Sequence, residues 1–197
     1  MWVNNAGVLH AGNSWEQPAE VVAQTLDVNV RGMMAGCAAA VNAMSVGGGV
    51  ILNVASISAL TPVPRLAVYA ATKAAVVSYT GSLQGELSHV RLPIRARAVC
   101  PDVVSTAMVA SHAHHPDAAL LFSGPKPMSV DEVAAAAMEL MDSRQIFRVV
   151  PRWRGVIARS TGLVPASGLR ALTLMRMLGE RRQRSGNQSI VGSDFER

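Results

Sequence analysis

Residues 50–73 read Val-Ile-Leu-Asn-Val-Ala-Ser-Ile-Ser-Ala-Leu-Thr-Pro-Val-Pro-Arg-Leu-Ala-Val-Tyr-Ala-Ala-Thr-Lys. The first five form a short apolar run that follows three glycines, a pattern typical of a strand buried on both faces. Polar residues begin where this strand ends, at Ser56, and a loop with two prolines follows. The alanine-rich segment after the loop predicts a helix that carries Tyr69 and Lys73.

Tyr69 and Lys73 are four residues apart, so on a helix their side chains share one face. A phenol is a poor general base at neutral pH because its reference pKa is about 10. A nearby ammonium favours the phenolate, so we expect Lys73 to lower the pKa of Tyr69. A Tyr-x-x-x-Lys spacing also arises by chance on helices. The chain has sixteen Arg and only two Lys, however, and one of those two lies at this spacing.

Five motifs occur in a fixed order: Asn4-Asn5-Ala6-Gly7, Asn29 in Asp-Val-Asn-Val, Ser56, Tyr69-x-x-x-Lys73 and Pro101-x-x-Val104-x-Thr106. In this order the chain resembles the short-chain dehydrogenases/reductases, from residue 1 to about residue 150. The resemblance implies an α/β fold with a Rossmann-like, doubly wound parallel sheet. It also implies an NAD(P)-dependent oxidoreductase that interconverts a small-molecule alcohol and a carbonyl compound.

The resemblance assigns a role to each catalytic candidate. Tyr69 would transfer the proton, while Lys73 would lower its pKa and hold the nicotinamide ribose hydroxyls. Ser56 would hydrogen-bond the substrate oxygen. Asn29 would order a relay water behind Lys73, although its residue type also suits capping or kinking a helix.

Residues 1–4 predict the end of a strand, and the next residues lie where ligands bind in an open α/β sheet. By resemblance, this segment lies along the adenosine and ribose side of the cofactor: Asn4, Asn5, Ala6 and Gly7. The alternative is an ordinary Asn-Gly type of turn.

The segment Pro101–Thr106 is expected to contact the nicotinamide. By resemblance Val104 would pack near the ring and Thr106 would hydrogen-bond the nicotinamide amide or a phosphate. Asp102 stands where the family usually has Gly. Its negative charge near the phosphates would oppose cofactor binding.

Folds of this type use a Gly-rich turn that sets a helix N-terminus against the pyrophosphate. Residues 47–49 are glycines that precede a strand, so they do not substitute for it. By resemblance the chain begins at the family's fourth strand, and three strands with their helices, about 60–90 residues, would come before it. The strand at residues 1–4 would then be an open apolar edge. The alternative to an enzyme is therefore a truncated, catalytically inactive remnant that cannot bind cofactor productively. The residues that select NAD or NADP would also lie in the preceding segment, so the sequence does not distinguish the two cofactors.

Residues 16–45 predict one long helical region, with a part that is small or apolar on every side, typical of a helix covered all round. We expect the helices at 28–45 and 67–88 to contact a second copy of the chain in a homo-oligomer. Arg95 and Arg97 in the strand at 94–99 favour a position near an edge of the sheet, or a strand with one face exposed to solvent.

Ser129 predicts the start of a helix that continues to Met141, and residues 146–150 predict a final strand. Residues 107–128 would form the substrate lid by resemblance. Three histidines in this segment lack a Cys or carboxylate partner at fixed spacing, so no metal site is predicted.

The basic residues are concentrated near the end of the chain. Residues 144–197 contain eleven Arg and three acids, a net charge of +8, which leaves −3 for residues 1–143. We favour a solvated helix face over nucleic acid binding for this excess, with contact to a membrane surface as the alternative. The predicted organisation is a partial Rossmann-like domain at 1–150, a basic helical extension at 151–184 and a disordered tail at 185–197.

Two cysteines without a motif indicate a reduced, cytoplasmic setting. The apolar stretches are also shorter than the ~20 residues that a membrane span needs.

Overall fold

The computed structural model describes residues 1–163 and 165–184. It contains one parallel sheet whose strands follow the order of the chain: β1 (Trp2–Asn4), β2 (Gly49–Val54), β3 (Ile94–Pro101) and β4 (Phe147–Val150). Parallel strands need crossover connections, and helices provide them here. The predicted α/β class with a parallel sheet is confirmed. The predicted disordered tail lies outside the described residues.

The chain has seven α-helices among the described residues, and α2 and α3 cover one face of the sheet while α5 covers the other: α1 (Ala19–Leu26), α2 (Met33–Met44), α3 (Ala67–His89), α4 (Ala107–Ala110), α5 (Val130–Asp142), α6 (Arg152–Leu163) and α7 (Pro165–Arg184). A π-helical turn, Asp27–Gly32, joins α1 to α2, and short 3-10 turns occupy Ile57–Ala59 and Pro116–Phe122. Ser129 caps α5 with a capping box, as its position predicts. The division of the chain at residue 150 stays a prediction.

Two apolar clusters separate on the two faces of the sheet because neighbouring strand residues point to opposite sides. Ile51 packs with α2 and α3 on one face, together with Val76 and Leu83. Leu52 packs with α5 on the other face, against Leu140. The sheet is therefore a central layer, and the carboxyl ends of its strands form a common edge.

Within the described residues β3 lies between β2 and β4, one strand in from the end of the sheet, so residues 94–99 lie near an edge, which was one of the two expectations. Arg95 is exposed, but Arg97 is only 5% exposed. The Arg97 guanidinium donates to Gln84 Oε1 at 3.0 Å, to the Ala96 carbonyl at 3.1 Å and to the Ser143 carbonyl at 3.4 Å. These acceptors make the buried charge tolerable, and the sequence pattern does not reveal them.

A chain of polar side chains ties β1 to the body of the protein. Trp2 Nε1 donates to Asn4 Oδ1, and Asn4 Nδ2 donates to Asn53 Oδ1, each at 2.8 Å. Asn53 Nδ2 then donates to Thr80 Oγ1 on α3 at 2.9 Å. Within the described part of the chain β1 is an edge strand, with Trp2 and Val3 more than two-fifths exposed. The network holds this open edge to the helix layer.

Gly36 on α2 leaves room for the Trp2–Asn4 contact. A Cβ at this position would overlap Asn4 Oδ1 and lie 3.0 Å from Trp2 Nε1. We expect Gly36→Ala to lower the free energy of unfolding by about 1–3 kcal/mol, because a side chain is forced into a packed site. Urea unfolding measures this change.

Gly85→Ala is the matched control for Gly36→Ala. Gly85 also lies within a helix, α3, but a Cβ there would meet nothing within 4 Å. Alanine should therefore stabilise the protein at this position by about 0.5–1 kcal/mol. Equal effects of the two substitutions would contradict the proposed role of Gly36.

Candidate active site

Three segments meet at the carboxyl edge of the sheet. Gly7 follows β1, Asn29 lies in the π-helical turn and Lys73 lies on α3. A Cβ built on Gly7 would lie 3.4 Å from both Asn29 Oδ1 and Lys73 Nζ. The structure therefore brings together residues that are far apart in the sequence.

Asn29 holds the segment after β1 in place. The Val8 backbone N–H donates to Asn29 Oδ1 at 2.8 Å, and Asn29 Nδ2 donates to the Val8 carbonyl at 2.9 Å and to Thr72 Oγ1 at 3.0 Å. The side chain is 2% exposed. Both Nδ2 protons are donated to groups within the protein. A relay water could therefore bind the side chain only by donating to the second lone pair of Oδ1. The relay role stays a prediction.

Lys73 lies beneath Tyr69, one helical turn further along α3. Its Nζ donates to the Val54 carbonyl at the end of β2, at 2.9 Å, and lies 5.7 Å from the centre of the Tyr69 ring. The Lys73 side chain is 5% exposed. An ammonium carries three protons, so two remain for ligand hydroxyls once Val54 has accepted one.

Ser56 reaches the same place from the end of β2. It has extended backbone angles and caps the turn Ile57–Ala59, with its Oγ accepting from the Ser58 N–H at 3.2 Å. Its side chain also hydrogen-bonds Tyr69, which favours the phenolate. Ser56 and Tyr69 are therefore hydrogen-bonded, and the Lys73 ammonium lies near the Tyr69 ring.

Burial, rather than Lys73, decides the protonation of Tyr69. Burial raises the pKa of Tyr69 to about 12, and the hydrogen bond from Ser56 only partly opposes it. The expectation of a lowered pKa is therefore wrong for this structure. The free energy lost when the phenolate is removed from water is larger than the stabilisation that neighbouring groups give it. At neutral pH the phenol keeps its proton and is a proton donor.

Burial also lowers the pKa of Lys73 to about 8, an effect that the neighbouring Cys100 partly opposes. The Cys100 thiol lies at the end of β3, and burial raises its pKa to about 12, so it is neutral at pH 7. Lys73 is therefore mostly charged at pH 7 and loses its proton about one pH unit higher.

The four residues expected along the cofactor differ in orientation. Asn4 turns its amide into the sheet toward Asn53, so it braces β1 and β2. Asn5 and Ala6 are exposed at the mouth of the site, and Gly7 lies next to Lys73. The sequence alone did not single out Asn53 or Thr72 as supports of the site.

The segment Pro101–Thr106 leaves β3 and pairs with the end of the lid. The Ser105 N–H donates to the Met128 carbonyl and the Met128 N–H donates to the Val103 carbonyl, each at 2.9 Å. Val104 forms a parallel bridge with Met128, and Thr106 Oγ1 donates to the Val104 carbonyl at 3.3 Å. Pairing with Met128 gives this segment a fixed backbone conformation at the edge of the sheet.

Asp102 is not a free charge near the cofactor region. Arg154 Nε lies 2.6 Å from its Oδ2, and the two side chains are only 18% and 8% exposed, respectively. The Arg154 guanidinium also lies 5.6 Å from the centre of the Trp153 ring. The pair borders a cavity of about 200 Å³. The expected repulsion of phosphates is offset by Arg154, a partner 52 residues away that no spacing rule identifies.

Asp102→Asn is expected to lower the free energy of unfolding by about 1–3 kcal/mol, because it leaves the partly buried Arg154 without its counter-charge. Asp27→Asn is the matched control, since Asp27 pairs with Arg31 at 2.8 Å but both side chains are exposed, to 53% and 80%, respectively. That substitution should cost less than about 1 kcal/mol. Thermal unfolding of both variants measures the difference, and equal losses would contradict it.

Contacts on two sides hold the predicted lid, residues 107–128. Arg65 forms an ion pair with Asp117 at 2.9 Å on the side of the Tyr69 loop. On the other side, Gln183 of α7 donates to the Ala113 carbonyl at 3.0 Å and Gly179 packs directly on the Ala119 carbonyl. Among the described residues, no group of three or more His, Cys, Asp or Glu side chains is placed to hold a metal ion.

Comparison with known proteins identifies the family. The family model for the short chain dehydrogenases matches residues 1–117. The chain belongs to the short-chain dehydrogenase family. None of the helices in the part that the structure describes is long and apolar enough to cross a membrane.

Two curated relatives and one solved structure illustrate how this short-chain dehydrogenase compares with known members. It is 43% identical to an uncharacterized oxidoreductase of Thermotoga maritima, over 50% of this chain and 39% of the relative. It is 34% identical to 3beta-hydroxysteroid dehydrogenase 1 of Eggerthella lenta, over 70% of this chain and 54% of the relative. The structure of a short-chain dehydrogenase from Sphingobium yanoikuyae in complex with NADPH matches with a TM-score of 0.66 and 27% identity, covering 83% of this chain and 63% of that one. The chain thus spans about half the length of the curated relatives or less.

Proposed function

We propose that this short-chain dehydrogenase interconverts an alcohol and a carbonyl compound with NAD or NADP. The observation that carries the proposal is the hydrogen-bonded pair of Ser56 and Tyr69, with the Lys73 ammonium near the Tyr69 ring, at the carboxyl end of β2. Gly7 lies next to both the Lys73 ammonium and the Asn29 side chain. A hydroxyl, a protonated phenol and a cation in one place suit the protonation of a carbonyl oxygen.

The residues present fit the nicotinamide half of the cofactor. Lys73 has two ammonium protons for ribose hydroxyls, and the missing side chain of Gly7 leaves room beside it. Val104 and Thr106 would border the nicotinamide, in the segment that pairs with Met128. The S. yanoikuyae structure holds NADPH, and we extend that cofactor type to this chain.

A bound nicotinamide supplies or accepts the hydride. In the direction of carbonyl reduction, Tyr69 donates its proton to the substrate oxygen while the Ser56 hydroxyl holds that oxygen. The phenolate that remains is stabilised by the Lys73 charge, which the buried setting makes effective. Because the pKa of Tyr69 is about 12, the starting form at neutral pH is the phenol, so reduction is the direction that the resting site favours.

Tyr69 must regain its proton before the next turnover. We propose that Lys73 donates a proton to the Tyr69 phenolate. A water that donates a hydrogen bond to the second lone pair of Asn29 Oδ1 then gives a proton back to Lys73. Support for this path comes from Gly7, whose Cβ position is equally close to Asn29 Oδ1 and Lys73 Nζ.

Nicotinamide fluorescence tests cofactor binding by the full chain. We expect NADPH or NADH to bind with a micromolar dissociation constant, and a ketone panel to be reduced by the nucleotide that binds. Binding of neither nucleotide at millimolar concentration would contradict the proposal and favour the inactive remnant. Binding without turnover of any ketone or alcohol would contradict the catalytic part alone.

We further propose a homo-oligomer through the helices at 28–45 and 67–88, in the cytoplasm. The outward faces of both helices carry small residues that permit close packing: Ala35, Ala38, Ala39, Ala67, Ala71 and Ala74. The two cysteines are free and buried, which suits a reducing compartment. Sedimentation velocity should show a dimer or larger, and Ala38→Arg with Ala74→Arg should give a monomer. A monomeric wild-type chain would contradict the oligomer.

A further inference from the structure

The last two helices pack on the body of the protein through very small residues. Gly155 of α6 lies so close to β4 that a Cβ would fall 2.7 Å from Val149 Cβ. Gly179 of α7 lies against the Ala119 carbonyl, and Ala158 is only 6% exposed. Glycine and alanine therefore lie at the closest approaches of α6 and α7 to the rest of the protein.

Six large apolar side chains of these helices point outward instead. Their exposed fractions lie between 48% and 66%: Trp153, Val156, Ile157, Leu174, Met177 and Leu178. On each helix the three residues are spaced i, i+3 and i+4, so each helix presents one apolar stripe. An ordinary amphipathic helix buries such a stripe against its own protein. Here the described residues leave it uncovered.

The same region carries most of the positive charge. Residues 152–184 contain eight Arg and a single acid, Glu180, for a net charge of +7. Arg152, Arg159, Arg170 and Arg181 are exposed, so they lie beside the apolar stripes. Glu180 is already paired with Arg176 at 2.9 Å. The surface is thus apolar and strongly basic at once.

We propose that the α6–α7 surface docks on an anionic lipid membrane and lies in its headgroup region. Apolar side chains of a helix enter the boundary between headgroups and acyl chains, while arginines reach the phosphates. Each basic residue near an anionic surface adds to the attraction. No helix in the described ranges is suited to crossing a membrane, so the contact is with the surface.

Charge complementarity selects the membrane over the other occupants. A second copy seated on this face would bring two segments of +7 together, and like charges at close range repel. Nucleic acid would satisfy the arginines but leave six large apolar side chains in water.

Sedimentation of the full chain with vesicles tests the proposal. We expect binding to vesicles of phosphatidylcholine with about a third phosphatidylglycerol, and at least about ten-fold weaker binding to phosphatidylcholine alone. Raising the salt concentration should weaken the binding. Equal binding to both kinds of vesicle, or binding to neither, would overturn the proposal.

Two variants and a charge-matched control locate the contact. The first variant removes apolar area by three substitutions, Val156→Ser, Leu174→Ser and Leu178→Ser. The second removes charge by two, Arg170→Gln and Arg181→Gln. Each should weaken binding about ten-fold or more. Arg91→Gln with Arg144→Gln removes the same charge from exposed positions outside α6 and α7, and should have little effect. An equal loss in this control would show that only net charge matters and would overturn the proposed site.

Fluorescence and self-association complete the test. Vesicles with brominated acyl chains should quench tryptophan emission, and Trp153→Phe should remove most of that quenching. Unchanged quenching in the variant would overturn the contact. Because all substituted positions are exposed, the melting temperatures of the variants should equal that of the wild type.

Self-association of the chain separates the membrane from a second copy as the occupant of this face. If the serine variant dissociates an oligomer that does not bind vesicles, the face is an interface between copies and the proposal fails.

Discussion

Replacing Tyr69 by Phe is expected to lower kcat for ketone reduction by about 10²–10⁴-fold, because the substrate oxygen loses its proton donor. The substitution removes one hydroxyl and keeps the ring that packs at the start of α3. Nucleotide binding and the melting temperature should therefore stay close to those of the wild type. Steady-state kinetics with the ketone that reacts fastest measures the change.

Tyr79→Phe is the matched control, because Tyr79 is the other tyrosine of the chain and lies on the same helix. It packs against the apolar cluster between α3 and the sheet, away from Ser56. Its removal should leave kcat within about two-fold of the wild type. Similar losses in the two variants would show that the Tyr69 hydroxyl has no special part in proton transfer.

Lys73→Met is expected to abolish turnover and yet to raise the free energy of unfolding at pH 7 by about 2 kcal/mol. The pKa of Lys73 is lowered from 10.5 to about 8 in the folded chain, chiefly by burial. That difference means that burying the charged Lys73 costs about 3 kcal/mol of folding free energy at pH 7, which methionine would recover. The variant also loses the hydrogen bond to Val54, worth about 1 kcal/mol, so the net gain is about 2 kcal/mol. Urea unfolding at several pH values measures the result.

The pH dependence of this gain has a fixed sign. Between the folded value of about 8 and the unfolded value of 10.5, the unfolded chain binds more protons at Lys73, so the wild type becomes more stable as pH rises through this window. The advantage of the methionine variant should thus be largest below pH 8 and shrink toward pH 10.5. Lys126→Met, at an exposed lysine, should change stability little at any pH. A less stable Lys73→Met protein at pH 7 would contradict the dominance of burial.

Local sequence patterns were sufficient for much of the fold. The apolar run after Gly47-Gly48-Gly49 predicts β2, and Ser129 with Glu132 predicts the start of α5, because strand burial and helix capping depend on adjacent residues. The burial of Arg97 in β3 could not be predicted. Arg97 is tolerated there only because Gln84 and Ser143 supply acceptors from distant parts of the chain.

The site shows the same division between local and distant information. Helical spacing was enough to place Tyr69 and Lys73 on one face of α3. The protonation of Tyr69 was predicted in the wrong direction, because burial depends on everything that packs around the phenol and not on spacing. The Arg154 partner of Asp102 and the Val8 and Thr72 partners of Asn29 likewise follow from tertiary packing.

The pH dependence of kcat/KM for ketone reduction tests the proposed proton-transfer site most directly. With the pKa of Tyr69 at about 12 and that of Lys73 at about 8, the rate should be level near neutral pH and fall above pH 8, as Lys73 loses the charge that stabilises the phenolate. A rate that instead rises through pH 8 would show that the essential group must lose its proton before reaction, which contradicts a protonated Tyr69 supported by a charged Lys73.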